Sequence, residues 1–308
     1  MKNSNRKSAF SLVEISIVII IIGILVAGVT QSSRLLTQAK LSSAKSMTQS
    51  SPAASIKGIS IWIDAISDAS FQSNDLDDGT AITTWNDISP QTITKANLTP
   101  SGGPVYKTNI INGLPAVLFD GTDDFASTAN FSNISSASTV FAVVKLPSTA
   151  LAAKTIFSKR PATGTSTNIE FGTTAATGWA YSDGGASSYN PTASSSPTAA
   201  SGAYVVSVVY NSSSADSSTS TATGIHFFQN GSTVPFTTNH FTTTSSPNAS
   251  VSEDLFVGKS GLTATPAFFS GHIGELIVFD RALKKEERQA IESYLGKKWG
   301  IAMTAAAY

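Results

Sequence analysis

A chain of 308 residues with formal charge +0 and only 13% charged residues lacks the electrostatic footprint of a DNA- or RNA-binding protein, so no nucleic-acid partner is expected. The absence of cysteine excludes disulfides, zinc–thiolate sites and cysteine nucleophiles. Hydrophobic residues reach an ordinary 41%, enough for one or two domains with a sizeable core, while Ser, Thr, Asn and Gly supply the polarity typical of β-rich exported proteins.

The first element is a long apolar helix. Lys2, Arg6 and Lys7 precede it, and from Ile15 to Ser33 nineteen residues carry no charge. A helix of that length spans about 28 Å, close to the hydrocarbon thickness of a bilayer. The flanking cations orient the N-terminus toward the cytoplasm. Glu14 is the anomaly, because a carboxylate that reached the bilayer centre would cost about 2–3 kcal/mol and a plain anchor gains nothing from it. The residues "KSAFSLVEISIVIIIIGILVAG" resemble the N-terminus of type IV pilins and pseudopilins. The resemblance implies a leader at residues 1–9, cut by a prepilin peptidase between Ala9 and Phe10, and N-methylation of Phe10. It also implies that Glu14 pairs with the terminal amine of a neighbouring pilin-like subunit, a cation that makes a buried carboxylate tolerable. The expected location is the bacterial inner membrane, single-pass, and then a periplasmic or extracellular filament. Ala9 stands where the family usually has Gly, and Gln31 where major pilins carry a kinking proline, departures that suit a minor or unusual pilin.

The helical pattern continues to residue 51, with Leu35, Ala39 and Met47 on one side, and Pro52 opens a linker over 52–57. From Gly58 the period changes. "ISIWIDA", "PAVLFDG", "STVFAVVKL", "AYVVSVVY", "GIHFFQNG", "DLFVGK" and "GHIGELIVFD" read as strands bounded by turn residues, and Asn112-Gly113 signals a tight turn. The Ser/Thr-rich tracts near residues 189–202 and 211–224 read as surface loops. In "RALKKEERQAIESYLGKKWG", Ala290, Ile291, Tyr294, Leu295 and Trp299 recur at helical spacing. Glu287 stands at the far half of a capping box whose near half is Lys284, and Gly300 is a C-terminal stop.

Two strand motifs, "IWIDAISDAS" and "TTWNDIS", precede "INGLPAVLFDGTDDF" and the ending "HIGELIVFDRALKKEERQAIESYLGKKWG". Together they are similar to bacterial laminin-G-like, concanavalin A-like jelly-roll domains. The resemblance covers 58–301, leaving a tail at 302–308. The implied fold class is mainly β: a long N-terminal hydrophobic α-helix, then a concanavalin A-like jelly-roll β-sandwich with a C-terminal helix.

Related jelly-roll glucanases carry a pair of catalytic carboxylates on one strand face. The nearest counterparts, Glu275 and Asp280, fall on opposite faces by alternation, and His226, His240 and His272 are isolated. No catalytic residue is assigned and an enzyme is not expected. Asp75, Asp77 and Asp78 in one cluster and Asp120, Asp123 and Asp124 in another offer oxygens of the kind calcium takes, although turn and capping roles account for the same residues. No other cofactor is expected. A lectin-like sandwich points first to glycans. Trp62 and Trp85 lie in core motifs, so Trp179 and Tyr181, in the turn-rich "TGWAYSDGG", are the candidate glycan contacts. The reading is a pilin-like subunit displaying a lectin-like domain for adhesion or surface-polymer binding. The alternatives are a secretion pseudopilin that recognises cargo and a membrane-anchored carbohydrate-active enzyme.

Overall fold

The computed structural model describes residues 11–131, 134, 137–147, 154–159, 169–173, 178–182, 192–193, 201–211, 224–234, 253–261 and 266–304. Helix α1 (Leu12–Gln49) starts at Ser11, whose Oγ accepts from the Val13 amide at 3.4 Å while Glu14 Oε2 accepts from the Ser11 amide at 2.9 Å. This reciprocal cap satisfies two amides that have no intrahelical partner. From Leu12 to Val26 every large apolar side chain is at least 51% exposed. Among the described residues no helix is long and apolar enough to cross a membrane. The described apolar stretch, Leu12 to Gly28, measures about 25 Å against a hydrocarbon core of roughly 30 Å.

Only the last turns of α1 meet the rest of the chain. Leu41, Ala44, Met47 and Thr48 form the contact face. Leu35, at 65% exposure, and the exposed Ala39 lie before the sandwich begins, which corrects the face expected from spacing. The helix ends at Ser50, and Pro52 opens a single 3-10 turn capped by Ser51.

The strands follow in chain order. They are β1 (Ile59–Asp64), β2 (Thr99–Ser101), β3 (Val105–Ile111), β4 (Leu114–Asp120), β5 (Phe125–Phe131), β6 (Ala137–Leu146) and β7 (Lys154–Lys159). After them come β8 (Ile169–Thr173), β9 (Trp179–Ser182), β10 (Thr192–Ala193), β11 (Gly202–Asn211), β12 (Ile225–Gln229), β13 (Ser232–Val234), β14 (Glu253–Val257) and β15 (Ser270–Phe279). Helix α2 (Lys285–Trp299) follows, stopped by Gly300 in the left-handed region at φ 63°.

Two antiparallel sheets face each other, as a jelly-roll sandwich requires. One runs β13-β12-β11-β6-β15-β4-β3 and the other β10-β9-β8-β7-β14-β5-β2. Strand β15 is the hub of the first. It pairs with β6 along one edge, and its other edge is shared by β4, at Ser270–Ile273, and β1, at Glu275–Phe279. Asn112 and Gly113 turn β3 into β4 with φ of 51° and 93°, as a two-residue hairpin needs. Trp85 and Phe119 stack at 6.5 Å between the sheets, and Trp62 and Trp85 are buried as core motifs should be.

At Gly274 the β15–β6 register slips, pairing Ile273 with Val144 but Glu275 with Val143. The bulge turns Ile273 inward and leaves both His272 and Glu275 on the outer face, beside Lys145 and Val143. A Cβ at Gly274 would lie 2.6 Å from the Trp299 ring, so only glycine admits that indole.

Candidate functional site

The expected processing and assembly residues divide between described and undescribed chain. Ala9 and Phe10 lie outside the described residues, as does the leader. Glu14 is exposed and held by its own helix cap, its carboxylate accepting from the Ser11 amide.

At the other end of α1 a polar socket is sealed inside the domain. Lys298 on α2 donates to Asp64 Oδ2 at 2.7 Å and Glu275 Oε2 at 2.8 Å, and all three side chains are fully buried. Glu275 also accepts from Trp62 Nε1 at 2.9 Å, the Tyr294 hydroxyl at 2.9 Å and Trp299 Nε1 at 2.8 Å. Four donors therefore surround one carboxylate, which matches its ionised form. Burial pushes the Glu275 carboxyl up, and the Lys298 ammonium opposes that push. Asp64 accepts from the Ile66 amide at 2.9 Å and from Thr48 Oγ1 at 2.9 Å. Through Thr48, α1 is tied to this socket. The Glu275–Asp280 pair is thereby split: Glu275 is an internal anchor and Asp280 is exposed beyond the strand end.

The candidate glycan contacts are buried. Trp179 is 1% exposed and Tyr181 0%. Both belong to β9, where Trp179 pairs with Thr173 and Tyr181 with Phe171. The Trp179 indole donates to Gln229 Oε1 at 2.7 Å and stacks on Phe171 at 6.2 Å, while the Tyr181 hydroxyl meets Ser138 Oγ at 3.1 Å. Neither ring presents a face to solvent, so neither is a sugar platform.

The acid clusters also separate. Asp75 accepts from the Thr83 amide at 2.9 Å and hydroxyl at 2.8 Å, and Asp78 from the Thr108 amide at 2.8 Å. Asp75 pins the Thr83 segment and Asp78 pins β3, and Asp77 is exposed. Asp120, Asp123 and Asp124 do converge, with one carboxylate oxygen from each within 4.8 Å of the others. Asp120 Oδ1 accepts from the Thr122 amide at 2.7 Å, and Asp124 Oδ2 from the Asp120 amide at 2.9 Å, as acids do in tight turns. Burial raises the Asp124 carboxyl above its ordinary range, with the Asp120 and Asp123 charges adding to the push.

One cleft went unnoticed in the sequence. On the outer face of the first sheet, at the end α2 leaves open, a cavity of about 470 Å³ is lined by Leu118, Asp120, Lys145, Ser201, Ser270 and His272, among others. His272 pairs across the sheet with Leu118 on one side and Lys145 on the other, and Ala203 lies opposite Lys145. Lys145 Nζ donates to the Ile110 carbonyl at 2.8 Å. Burial, then the Lys145 and Lys107 charges, drive the His272 imidazole down to about 4, so it is neutral at physiological pH. His226, half-buried on β12, is lowered by burial and by Arg288, and His240 lies outside the described residues. The one local signal for the cleft was a lysine inside the apolar run "STVFAVVKL".

The structure is similar to domain 4 of AbnA, a GH43 extracellular arabinanase from Geobacillus stearothermophilus solved with arabinotriose, at 15% identity and TM-score 0.49, covering 76% of this chain and 97% of that one. It is similar to Trypanosoma rangeli sialidase at 11% identity and TM-score 0.48, over 81% of this chain and 34% of the sialidase. A structure from work on cell entry of botulinum neurotoxin type C matches at 11% identity and TM-score 0.50, over 77% of this chain and 51% of that one. At such identities the likeness concerns the fold alone, and the chain spans only about a third of the sialidase and half of the toxin structure. Among curated proteins, none matches. Residues 4–30 match the prokaryotic N-terminal methylation motif. Because residues 120–287, more than half of its length, match the family profile and fold as two facing antiparallel sheets, the chain belongs to the concanavalin A-like lectin/glucanases superfamily.

Proposed function

We propose that this chain is a pilin-like filament subunit, of the minor-pilin kind, that displays a carbohydrate-binding lectin-like domain. The observation that carries the reading is a single helix with two different halves. From Leu12 to Val26 it exposes apolar side chains throughout, and from Leu41 to Thr48 it is fastened to the sandwich through Asp64 and the α2 face. Bare apolar surface of that extent is unfavourable in water, at about 25 cal/mol per Å², and calls for lipid or neighbouring helices. With the methylation motif at residues 4–30, the arrangement fits a precursor held in the inner membrane by α1, cut by a prepilin peptidase before Phe10, and packed among other pilin-like subunits. Glu14 then exchanges its own Ser11 amide for the neighbour's terminal amine.

Carbohydrate binding is the function the lectin-like half supports best. The family is one of lectins and glucanases, and the toxin of the same fold was solved in a study of entry dependent upon interaction with two ganglioside molecules. The separated Glu275 and Asp280 favour binding over hydrolysis. Two measurements test the proposal. Mass spectrometry of the mature protein is expected to find an N-terminus at methylated Phe10, and an intact Met1 would overturn the pilin reading. A glycan panel probed with the full chain, in a detergent without a sugar headgroup, is expected to show selective binding; silence across the panel would overturn the lectin reading.

A further inference from the structure

Resting on the carbohydrate reading above, we infer that the cleft between the ends of β4, β15, β6 and β11 is the saccharide site, and that it takes a carboxylate-bearing sugar unit such as a uronic acid residue. A site for sugars needs a depression with a few convergent polar groups over an apolar floor. Here Leu118 supplies floor, and Lys145, His272, Ser201, Ser270 and Asp120 supply donors and acceptors around about 470 Å³. The volume suits one or two sugar rings.

The charge pattern selects the sugar. Lys145 uses one of its three N–H groups on the Ile110 carbonyl, and among the described residues no carboxylate lies within ion-pair distance of it. Lys107, the other cation near His272, has Asp78 at 3.7 Å. Asp120, at the rim, directs Oδ1 into its own turn. The cleft is thus lined by a lysine with no carboxylate partner among the described residues, next to an imidazole that burial, helped by the same cation, keeps neutral. A sugar carboxylate pairs with Lys145 and accepts a hydrogen bond from His272, while Ser201 and Ser270 meet ring hydroxyls. Uncharged sugars leave the Lys145 ammonium partly desolvated with no anion beside it, which disfavours them.

The placement follows from one backbone feature. Without the slip at Gly274, His272 would turn into the sandwich and Lys145 would have no polar neighbour across the sheet.

The test is a titration of the full chain in sugar-free detergent with an oligogalacturonate, its methyl ester and a neutral galactose oligomer. The imidazole C2–H resonances are followed and the His272 signal is assigned by its loss in His272→Gln. The acid is expected to move the His272 resonance and raise its pKa, and to bind at least tenfold tighter than the ester. Lys145→Met is expected to weaken acid binding tenfold or more. Should that variant fail to fold, Ser201→Trp, at an exposed rim position, obstructs the cleft without touching Lys145 and is expected to give the same loss. Equal binding of acid and ester, or a binding oligosaccharide that leaves the His272 resonance and the Ser201→Trp variant unaffected, overturns the assignment while the lectin reading stands. Absence of binding to any glycan removes both.

Discussion

Replacing Lys298 with methionine is the sharpest probe of how the domain is held together. The side chain sits at 0% exposure between Asp64 at 2.7 Å and Glu275 at 2.8 Å, so the substitution keeps volume and removes a charge that two buried carboxylates share. Breaking one partner of a buried pair costs about 3–5 kcal/mol, because the survivor stays desolvated without compensation. Two carboxylates are orphaned here, so the upper part of that range applies, a large share of the roughly 5–15 kcal/mol that stabilises a typical domain. Urea unfolding followed by tryptophan emission reads it directly, since Trp62 and Trp299 both donate to Glu275. The deficit also has a pH signature. In Lys298→Met the main opposition to the burial that raises the Glu275 carboxyl is gone, leaving only its neutral donors such as Trp299, so a proton replaces the lost cation as pH falls. A carboxyl with a raised folded-state pKa destabilises most at high pH, so the deficit is expected to be largest near neutrality and to shrink toward pH 5. A loss under about 1 kcal/mol, the worth of a surface pair, or a loss independent of pH would refute this account of the socket.

Three further outcomes are expected. Trp179→Ala leaves Gln229 unpaired and a cavity beside Phe171, and should cost about 3–5 kcal/mol by thermal or urea unfolding while glycan affinity of the folded protein stays unchanged; lost affinity in a folded variant would restore Trp179 as a contact. Gly274→Ala drives a methyl toward the Trp299 ring and should cost about 1–3 kcal/mol by the same assay, and a neutral result would mean the bulge is not fixed by that indole. Arg281 grips Glu287 with bonds of 2.8 and 2.7 Å and holds its carboxyl at about 2 against an ordinary 4.5. A depressed folded-state pKa gives stability above pH 4.5 that is lost as pH falls toward 2. The pair is partly exposed, so its share is at most about 1 kcal/mol, read as a wild-type minus Glu287→Gln difference that should vanish across that window.

The strands with strong alternation or continuous apolar runs were legible, and so were the Asn112-Gly113 turn, the stop at Gly300 and the burial of Ile291, Tyr294, Leu295 and Trp299. These depend on residues within a few positions of each other. Lys284 could not complete a capping box, because an ammonium has no acceptor; only the Glu287 half forms, at 2.9 Å to the Lys284 amide. Ala290 proved exposed, and polar Arg288, Glu292 and Lys298 share the buried face instead. Trp179 was misplaced for a different reason. Gly178 and the serines after it look like a turn, but the position of the ring is decided by β8 and by Gln229 fifty residues away. Partners so distant leave no local pattern. The cleft was invisible on the same ground, since Leu118, Lys145, Ser201 and His272 meet only once the strand order is known.

Strand β15 explains why the anchor of α1 and an open cleft can share one sheet. A regular strand would present alternate residues to α2 along its whole length, and the outer face would be uniformly dry or uniformly wet. The slip at Gly274 divides it. On one side Glu275 lies under α2, where four donors and the Trp299 ring exclude water and Thr48 joins α1 to Asp64. On the other side His272, three residues earlier, opens onto solvent beside Lys145. The two environments use the same backbone but share no side chain, so residues of the cleft can vary with the ligand without loosening the socket. The reverse does not hold. Glu275 pairs with Val143 and His272 with Lys145 on the same neighbouring strand, so a change that shifts the Gly274 bulge moves the cleft and the helix anchor together.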